Sequence, residues 1–269
     1  MLLDNRRFKP GGFDRLWPLI LPSLLIIFWF AVSETQTVPT YLLPHPLTVG
    51  KAGYTYVFGH PGEVLYAGRF AGDVGASLVR VMFGFGLAVA IGIPLGVLSG
   101  RVALVNRLIS TSVNALRSVP GICWLPLAMV WFGIGIRTTV FLVALAAFFP
   151  SYLNAASGAR QVNPIHYQAG AMMGVTRLRG IFAILLPAAM PQIITGLRLG
   201  MGIAWAYLVL GELTGVPNGL GAVIMDARMM GRIDIIVVGI ILIAVIGRSC
   251  DYLLLQCLNL CFKSARRMN

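Results

Sequence analysis

Arg198, Gly202, Trp205, Val209 and Glu212 recur at i, i+4, i+7, i+11 and i+14 in an otherwise apolar run. A helix would carry them on one face, the face expected to line a path across the bundle. At roughly 1.5 Å per residue, Arg198 would stand about 16 Å from the Pro187 end. A charge at that depth faces protein or a water-filled path, never lipid. Two roles are open to Arg198: contact with an anion in transit, or a structural pair with an acid or backbone carbonyl of another element. Trp205 reads as packing or as a gate. Glu212, at the outer end of the run, either touches a soluble protein outside or caps the loop at Thr214. Arg80 is expected to snorkel outward from its own run. Arg248 and Asp251, at i and i+3, are expected to neutralise each other.

Other chemistry finds no support. Cys250, Cys257 and Cys261 fall at i, i+7 and i+11, with no CxxC and no histidine beside them, and Cys123 stands apart. Zinc needs convergent ligands, so these thiols read as small apolar residues. His45, His60 and His166 lie far apart in loops, and no metal site is expected. There is no GxxxxGK[ST] loop, so the chain alone is not expected to bind ATP. No HExxH, GxSxG or paired-carboxylate arrangement appears. The reading is of a chain that is not an enzyme and carries no cofactor.

The elements that must position these residues are membrane spans. Of 269 residues, 58% are hydrophobic and 11% charged, against about 25% charged in soluble domains. The net charge of +12 sits at the ends of apolar runs rather than in a groove, which argues for topology and against nucleic acid. Runs of about 20 apolar residues suffice to cross a bilayer. Candidates are 16–32, 77–99, 107–135, 138–157, 187–212 and 235–260, an all-α protein of six spans. The first run is longer than a signal-peptide core and lacks a small-x-small site, so it reads as retained. Val119-Pro120 breaks the third run, and glycines at 84, 86, 92 and 96 suit close helix approach. Six spans place both termini on one side. With that side inside, Arg6, Arg7, Lys9, Arg15, Arg101, Arg107, Arg117, Arg160, Arg177, Arg179, Lys263, Arg266 and Arg267 are cytoplasmic. Lys51, Arg69, Arg137, Arg228 and Arg232 are outside, and thirteen against five fits the positive-inside rule. The chain divides into residues 1–34 (N-terminus and first span), 35–76 (an outer hairpin with one or two short helices) and 77–269 (the core). The glycine-rich loop from Thr214 to Asp234, amphipathic around Val223 to Met230, reads as an outer cap.

Between two of these spans lies a basic, amphiphilic interruption, Gly158 to Pro187. It must project into water, and Arg160, Arg177 and Arg179 place that water inside. Tyr167, Ala171, Met172 and Val175 would form its apolar side, fit to enter a cleft on a partner. Gly174 permits the turn that ends the short helix, and Pro187 would open the next span, where no backbone donor is needed.

Residues 167–187 resemble the "EAA" loop of binding-protein-dependent ABC importer permeases. That pattern is Glu-Ala-Ala, three residues, Gly, then Leu-Pro about a dozen later. Here Gln168-Ala169-Gly170 stands in place of Glu-Ala-Ala, Gly174 is kept, and Leu186-Pro187 follows at the expected distance. Leu43-Pro44, Pro120, Pro126, Trp131-Phe132-Gly133, Gly196-Leu197-Arg198, Trp205, Glu212 and Gly219-Leu220-Gly221 extend the likeness over nearly the whole chain. It is most similar to the nitrate/sulfonate/taurine branch. The resemblance implies a MetI-like type I permease core in the bacterial inner membrane. It implies a coupling helix near 161–180 that docks on two ABC ATPase subunits through Tyr167, Gln168, Ala169, Gly170, Ala171, Gly174, Leu186 and Pro187. A permease homodimer in the lipid bilayer, a periplasmic substrate-binding protein touching Glu212 or the outer loop, and a small anionic or zwitterionic substrate complete the expectation. Gln168 removes any salt bridge made from that position, and Gly170 weakens helix propensity by about 1 kcal/mol.

Two rivals are an ion-coupled secondary transporter and a non-transporting membrane subunit. The first needs buried acids for its coupling ion, and the spans offer Glu212 and Asp251.

Overall fold

A computed structural model describes residues 17–35, 38–60, 62 and 64–261, with the side chains of 17–19, 177, 178 and 261 left aside. The basic residues Arg6, Arg7, Lys9, Arg15, Lys263, Arg266 and Arg267, on which the orientation argument partly rests, lie outside the described residues, as does the Arg177 side chain.

Among the described residues all regular elements are helical. They are α1 (Trp17–Glu34), α2 (Pro46–Phe58), α3 (Phe70–Arg101), α4 (Ala103–Arg117), α5 (Trp124–Phe132), α6 (Ile136–Gln161), α7 (Pro164–Met172), α8 (Arg177–Gly180), α9 (Leu186–Glu212), α10 (Leu220–Met229) and α11 (Ile233–Cys261). Phe70–Arg101, Ile136–Gln161, Ile181–Glu212 and Ile233–Leu260 are each long and apolar enough to cross a bilayer. Helix α4 and Gly121–Phe132 together are also long and apolar enough for a crossing, but meet at 87°, the shape of a broken span or a re-entrant loop. The apolar part of α1, Ile20–Glu34, is shorter than these, so four to five of the six expected spans are long and apolar enough among the described residues. The bend falls where Pro120 removes a backbone donor, and a 3-10 turn at Gly121–Cys123 bridges the two halves.

Helix α6 is the centre of the bundle, packed between α3 and α9. Glycines on α3 allow this: a β-carbon at Gly84 would stand 2.6 Å from Val143 of α6, and one at Gly92 3.3 Å from the Phe148 carbonyl. Gly86, grouped with them by sequence, faces open space instead. Val81, Phe85, Val143, Ala147, Ile194 and Leu197 fill the seam. In a bilayer such contacts are stabilised by close van der Waals packing, because lipid tails are as apolar as the side chains.

The run assigned to 77–99 begins earlier, at Phe70, so the segment ahead of it holds one short helix, α2. Tyr56 of α2 packs with Val223, Ala227, Ile235 and Val238 of α10 and α11. The span expected to open at Pro187 also begins earlier, at Ile181. A π turn at Ile181–Leu185 precedes α9, and Pro187 sits one residue inside α9. A proline cannot donate to the carbonyl four residues back, and the wider turn accommodates that missing bond.

Candidate functional site

Helix α7 is built to stand as a separate short helix. Asn163 caps it, its side chain accepting from the Ile165 amide at 3.0 Å, and Pro164 occupies the first turn. At the other end Gly174 adopts φ +75°. The Val175 amide donates to the Gly170 carbonyl at 2.9 Å and the Gly174 amide to Ala171 at 3.0 Å. This pair of bonds is a Schellman cap, which needs the left-handed residue that glycine supplies.

The orientation of α7 differs from the expected one. Tyr167 turns toward the bundle, against the cluster of Ala159, Val162 and Leu185. Its ring lies under the Arg101 guanidinium of α3, 4.3 Å from centroid to carbon. Burial pushes the Tyr167 hydroxyl above the usual phenol range, with Arg101 opposing. Gly170 is also buried: a β-carbon there would lie 2.5 Å from Ile184 Cδ1. The residue that weakens helix propensity is thus the one that lets α7 sit on the π turn. The outward face is Ile165, Gln168, Ala169 and Met172, at i, i+3, i+4 and i+7. Met172 is 88% and Met173 77% exposed. Ala171 is exposed beside this stripe, and Val175 is half-buried. Leu186 and Pro187 belong to the base of α9 rather than to the exposed helix.

At the opposite end of the bundle a buried polar network joins α3, α9 and the loop before α10. Arg80 Nη1 donates to Glu212 Oε1 at 2.6 Å and to the Asn218 carbonyl at 2.8 Å; Nη2 donates to Asn218 Oδ1 at 2.7 Å. Ser77 donates to Glu212 at 2.8 Å, and the Gly221 amide donates to Glu212 Oε2, also at 2.8 Å. The Leu220 amide reaches Ser77 Oγ at 3.0 Å, and the Gly219 amide reaches Asp73 Oδ1 at 3.1 Å. Tyr56 of α2 donates to Asp73 Oδ2 at 3.0 Å. Burial, with Asp73 beside it, drives the Tyr56 hydroxyl far above its ordinary range and keeps it a donor. Arg80 is 1% and Glu212 0% exposed.

Two expectations are corrected here. Arg80 does not snorkel: α3 extends ten residues beyond it to Phe70, so the guanidinium is about 15 Å inside the helix and takes Glu212 as counter-charge. Glu212 neither caps Thr214 nor faces outward; Thr214 bonds the Gly211 carbonyl instead. Gly219, at φ +127°, closes the network, since a β-carbon there would stand 2.5 Å from Glu212 Oε1.

The single face drawn from Arg198 to Glu212 divides. Trp205 is buried in the core and faces Gly247 of α11. Arg198 and Gly202 are exposed and lie on a stripe with Leu199, Ile203 and Ala206. Arg198 pairs with Asp251 of α11 at 3.4 Å, and Arg248 reaches the same carboxylate at 2.9 Å. Arg198 therefore has the acid on another helix that one of its two readings required, and the Arg248–Asp251 pair forms as expected. Among the described residues no group of three or more metal-ligating side chains converges.

Sequence reasoning missed Ser77, Asp73 and Asn218, each of which has a partner more than 130 residues away. It also passed over Asn106, Ser110, Asn114 and Arg117 of α4, at i, i+4, i+8 and i+11. Their signal was available as a polar stripe of helical period in a membrane segment.

Residues 92–254 match the family described as "Binding-protein-dependent transport system inner membrane component". The taurine transport system permease protein TauC of Escherichia coli is 32% identical over 91% of this chain and 91% of its own length. The nitrate import permease protein NrtB of Synechocystis is 32% identical, over 87% and 84% respectively. An inward-facing structure of the MetNI methionine ABC transporter aligns at a TM-score of 0.56 and 20% identity, over 70% of this chain and 95% of that one. That likeness speaks for the fold.

Proposed function

This chain belongs to the family of binding-protein-dependent transport system inner membrane components, and from that premise we propose that it is the transmembrane permease of an ATP-driven importer. Its substrate is a small anion or zwitterion, a taurine-like or other sulfonate before nitrate or bicarbonate. A periplasmic binding protein delivers the substrate, and two ABC ATPase subunits dock on the permease pair, one at the α7 of each copy. The permease works as a homodimer in the bacterial inner membrane, with both termini cytoplasmic. Residues 1–34 are its cytoplasmic N-terminus and first span, the outer segment runs from 35 to the start of α3 at Phe70, and the rest is the core.

The observation that carries this reading is the outward stripe of α7. Ile165, Ala169 and Met172 are apolar, exposed and clear of the bundle, and Gln168 sits among them. A rigid, capped helix presenting such a stripe fits a cleft on a partner, while Tyr167 and Gly170 fix it to the bases of α3 and α9. Closure of the ATPase pair would then move those spans as levers, in alternating access.

The exposed stripe of α9 supports the dimer. Arg198, Arg248 and Asp251 carry one net positive charge at mid-span, and lipid would not cover them; a second copy or the path between copies would. The ion-coupled rival is disfavoured because the acids of the described spans, Asp73, Glu212, Asp234 and Asp251, each lie within 4 Å of an arginine. The test is isolation of the tagged chain from native membranes. A Walker-motif ATPase should accompany it, and Met172→Asp should release that ATPase while the chain remains inserted. Retention of the ATPase by the variant would remove α7 as the docking site.

A further inference from the structure

Helix α4 is unusually polar for part of a membrane crossing, and its polar side has no helix packed closely on it. Asn106, Ser110 and Asn114 face Ser157, Arg160 and Gln161 of α6 across a cavity of about 420 Å³. A second cavity of about 440 Å³ continues from it past Leu153 to Asn154 and Arg117. The four residues from Asn106 to Arg117 span about 16 Å along α4, and the two cavities adjoin at Leu153 along that length. Neither α4 nor α6 contains an acid. Among the described residues neither Arg117 nor Arg160 has a carboxylate partner, unlike Arg80, Arg198 and Arg248.

The groove is ordered at its mouth. Tyr152 donates to Ser99 Oγ at 2.8 Å, Ser99 donates to Asn106 Oδ1 at 3.3 Å, and the Arg160 guanidinium closes on the same Asn106 oxygen. The guanidinium is held in place by one of its five donors and keeps the others for a ligand. In the first cavity Ser110, Asn114, Ser157 and Gln161 add neutral donors, whereas the second is mostly apolar between Asn154 and Arg117. Such a lining, one cation at each end and no anion, matches an oxyanion head group, which accepts several hydrogen bonds at once. It repels an organic cation.

We infer that the α4–α6 groove is an oxyanion-binding site, with Arg160 and Arg117 at its ends, through which a sulfonate-sized anion passes at the cytoplasmic side. Its direction of use rests on the importer reading; its ligand chemistry does not.

The test uses the full chain with Cys123, Cys250, Cys257 and Cys261 replaced by alanine. Ser157→Cys, and separately Ser110→Cys, are reacted in permeabilised membranes with sulfonatoethyl and trimethylammonioethyl methanethiosulfonate. Each rate is taken relative to a small free thiol. The anionic reagent should react about tenfold faster than the cationic one, the scale of one uncompensated charge nearby. Arg160→Gln should bring the two rates together. Excess ethanesulfonate should slow the reaction and ethanolamine should not. Equal rates, a preference for the cation, inaccessible thiols at both positions, or no protection by ethanesulfonate would overturn the site. ATP-driven uptake surviving in that case would leave the importer standing and the groove refuted. The anion preference in a chain that brings no ATPase would do the reverse.

Discussion

Arg80 and Glu212 stand 132 positions apart in sequence and meet at 2.6 Å inside the protein, both withdrawn from solvent. Around them Ser77, Asn218 and the Gly221 amide add further hydrogen bonds, while the buried Arg80 Nε has no partner among the described residues. The pair therefore ties α3 to α9 and folds the loop before α10 onto both. Removing one member of a buried pair strands the other, at about 3–5 kcal/mol. Arg80→Ala should lower the unfolding temperature of the purified chain strongly, more than Arg198→Ala, whose partner Asp251 keeps Arg248. Equal melting of Arg80→Ala and wild type would show that the pair contributes nothing.

Gly219 and Gly215 separate two causes of strain. Both have positive φ, +127° and +100°, yet a β-carbon at Gly215 meets nothing within 4 Å. Gly215→Ala should cost on the order of 1 kcal/mol from the backbone alone. Gly219→Ala adds a collision with Glu212 and Arg80 and should cost clearly more, read from unfolding curves of both variants. Equal losses would contradict the close fit at Gly219.

Tyr167 is expected to anchor α7 through its ring rather than its hydroxyl, which has no hydrogen-bond partner. Tyr167→Phe should keep ATPase-driven uptake near wild type. Tyr167→Ala removes the ring beneath Arg101, a contact worth about 0.5–1 kcal/mol where exposed, together with its packing, and should uncouple ATP hydrolysis from uptake. Comparing hydrolysis with uptake in reconstituted vesicles decides it; loss in both variants alike would point to the hydroxyl.

Gly170→Ala sets two effects against each other. Alanine gains about 1 kcal/mol of helix propensity but places a methyl 2.5 Å from Ile184 Cδ1, the end of a flexible side chain. Gly170→Ala alone should be near neutral, and Gly170→Ala with Ile184→Val more stable than wild type. A large loss in the double variant would mean that the backbone itself cannot give way.

Several of these relationships were legible in the sequence and others were not, for physical reasons. Local signals carried furthest. Pro120 marked the bend, Gly174 the end of α7, and Arg248–Asp251 needed only the helical repeat. The partners of Arg80 and Glu212 were hidden because helix periodicity fixes a residue's face but not which distant helix meets it. Tyr167 misled because an aromatic on a short water-facing helix can serve the partner or the base it stands on. Arg101, which settles that choice, lies 66 residues earlier. The start of α9 was legible from Pro187, but the π turn that lengthens the span back to Ile181 was not, because proline at a helix entrance and proline just after a π turn look alike in sequence.

The most direct measurement joins α7 to the motor. Met172→Cys in the chain lacking its other cysteines, treated with a short thiol-to-amine cross-linker in native membranes, should yield one product containing this chain and a Walker-motif ATPase. Cysteine at Tyr167, turned toward the bundle, should yield much less of it. An ATPase captured from position 167 but not from 172, or captured from neither, would contradict the proposed docking face.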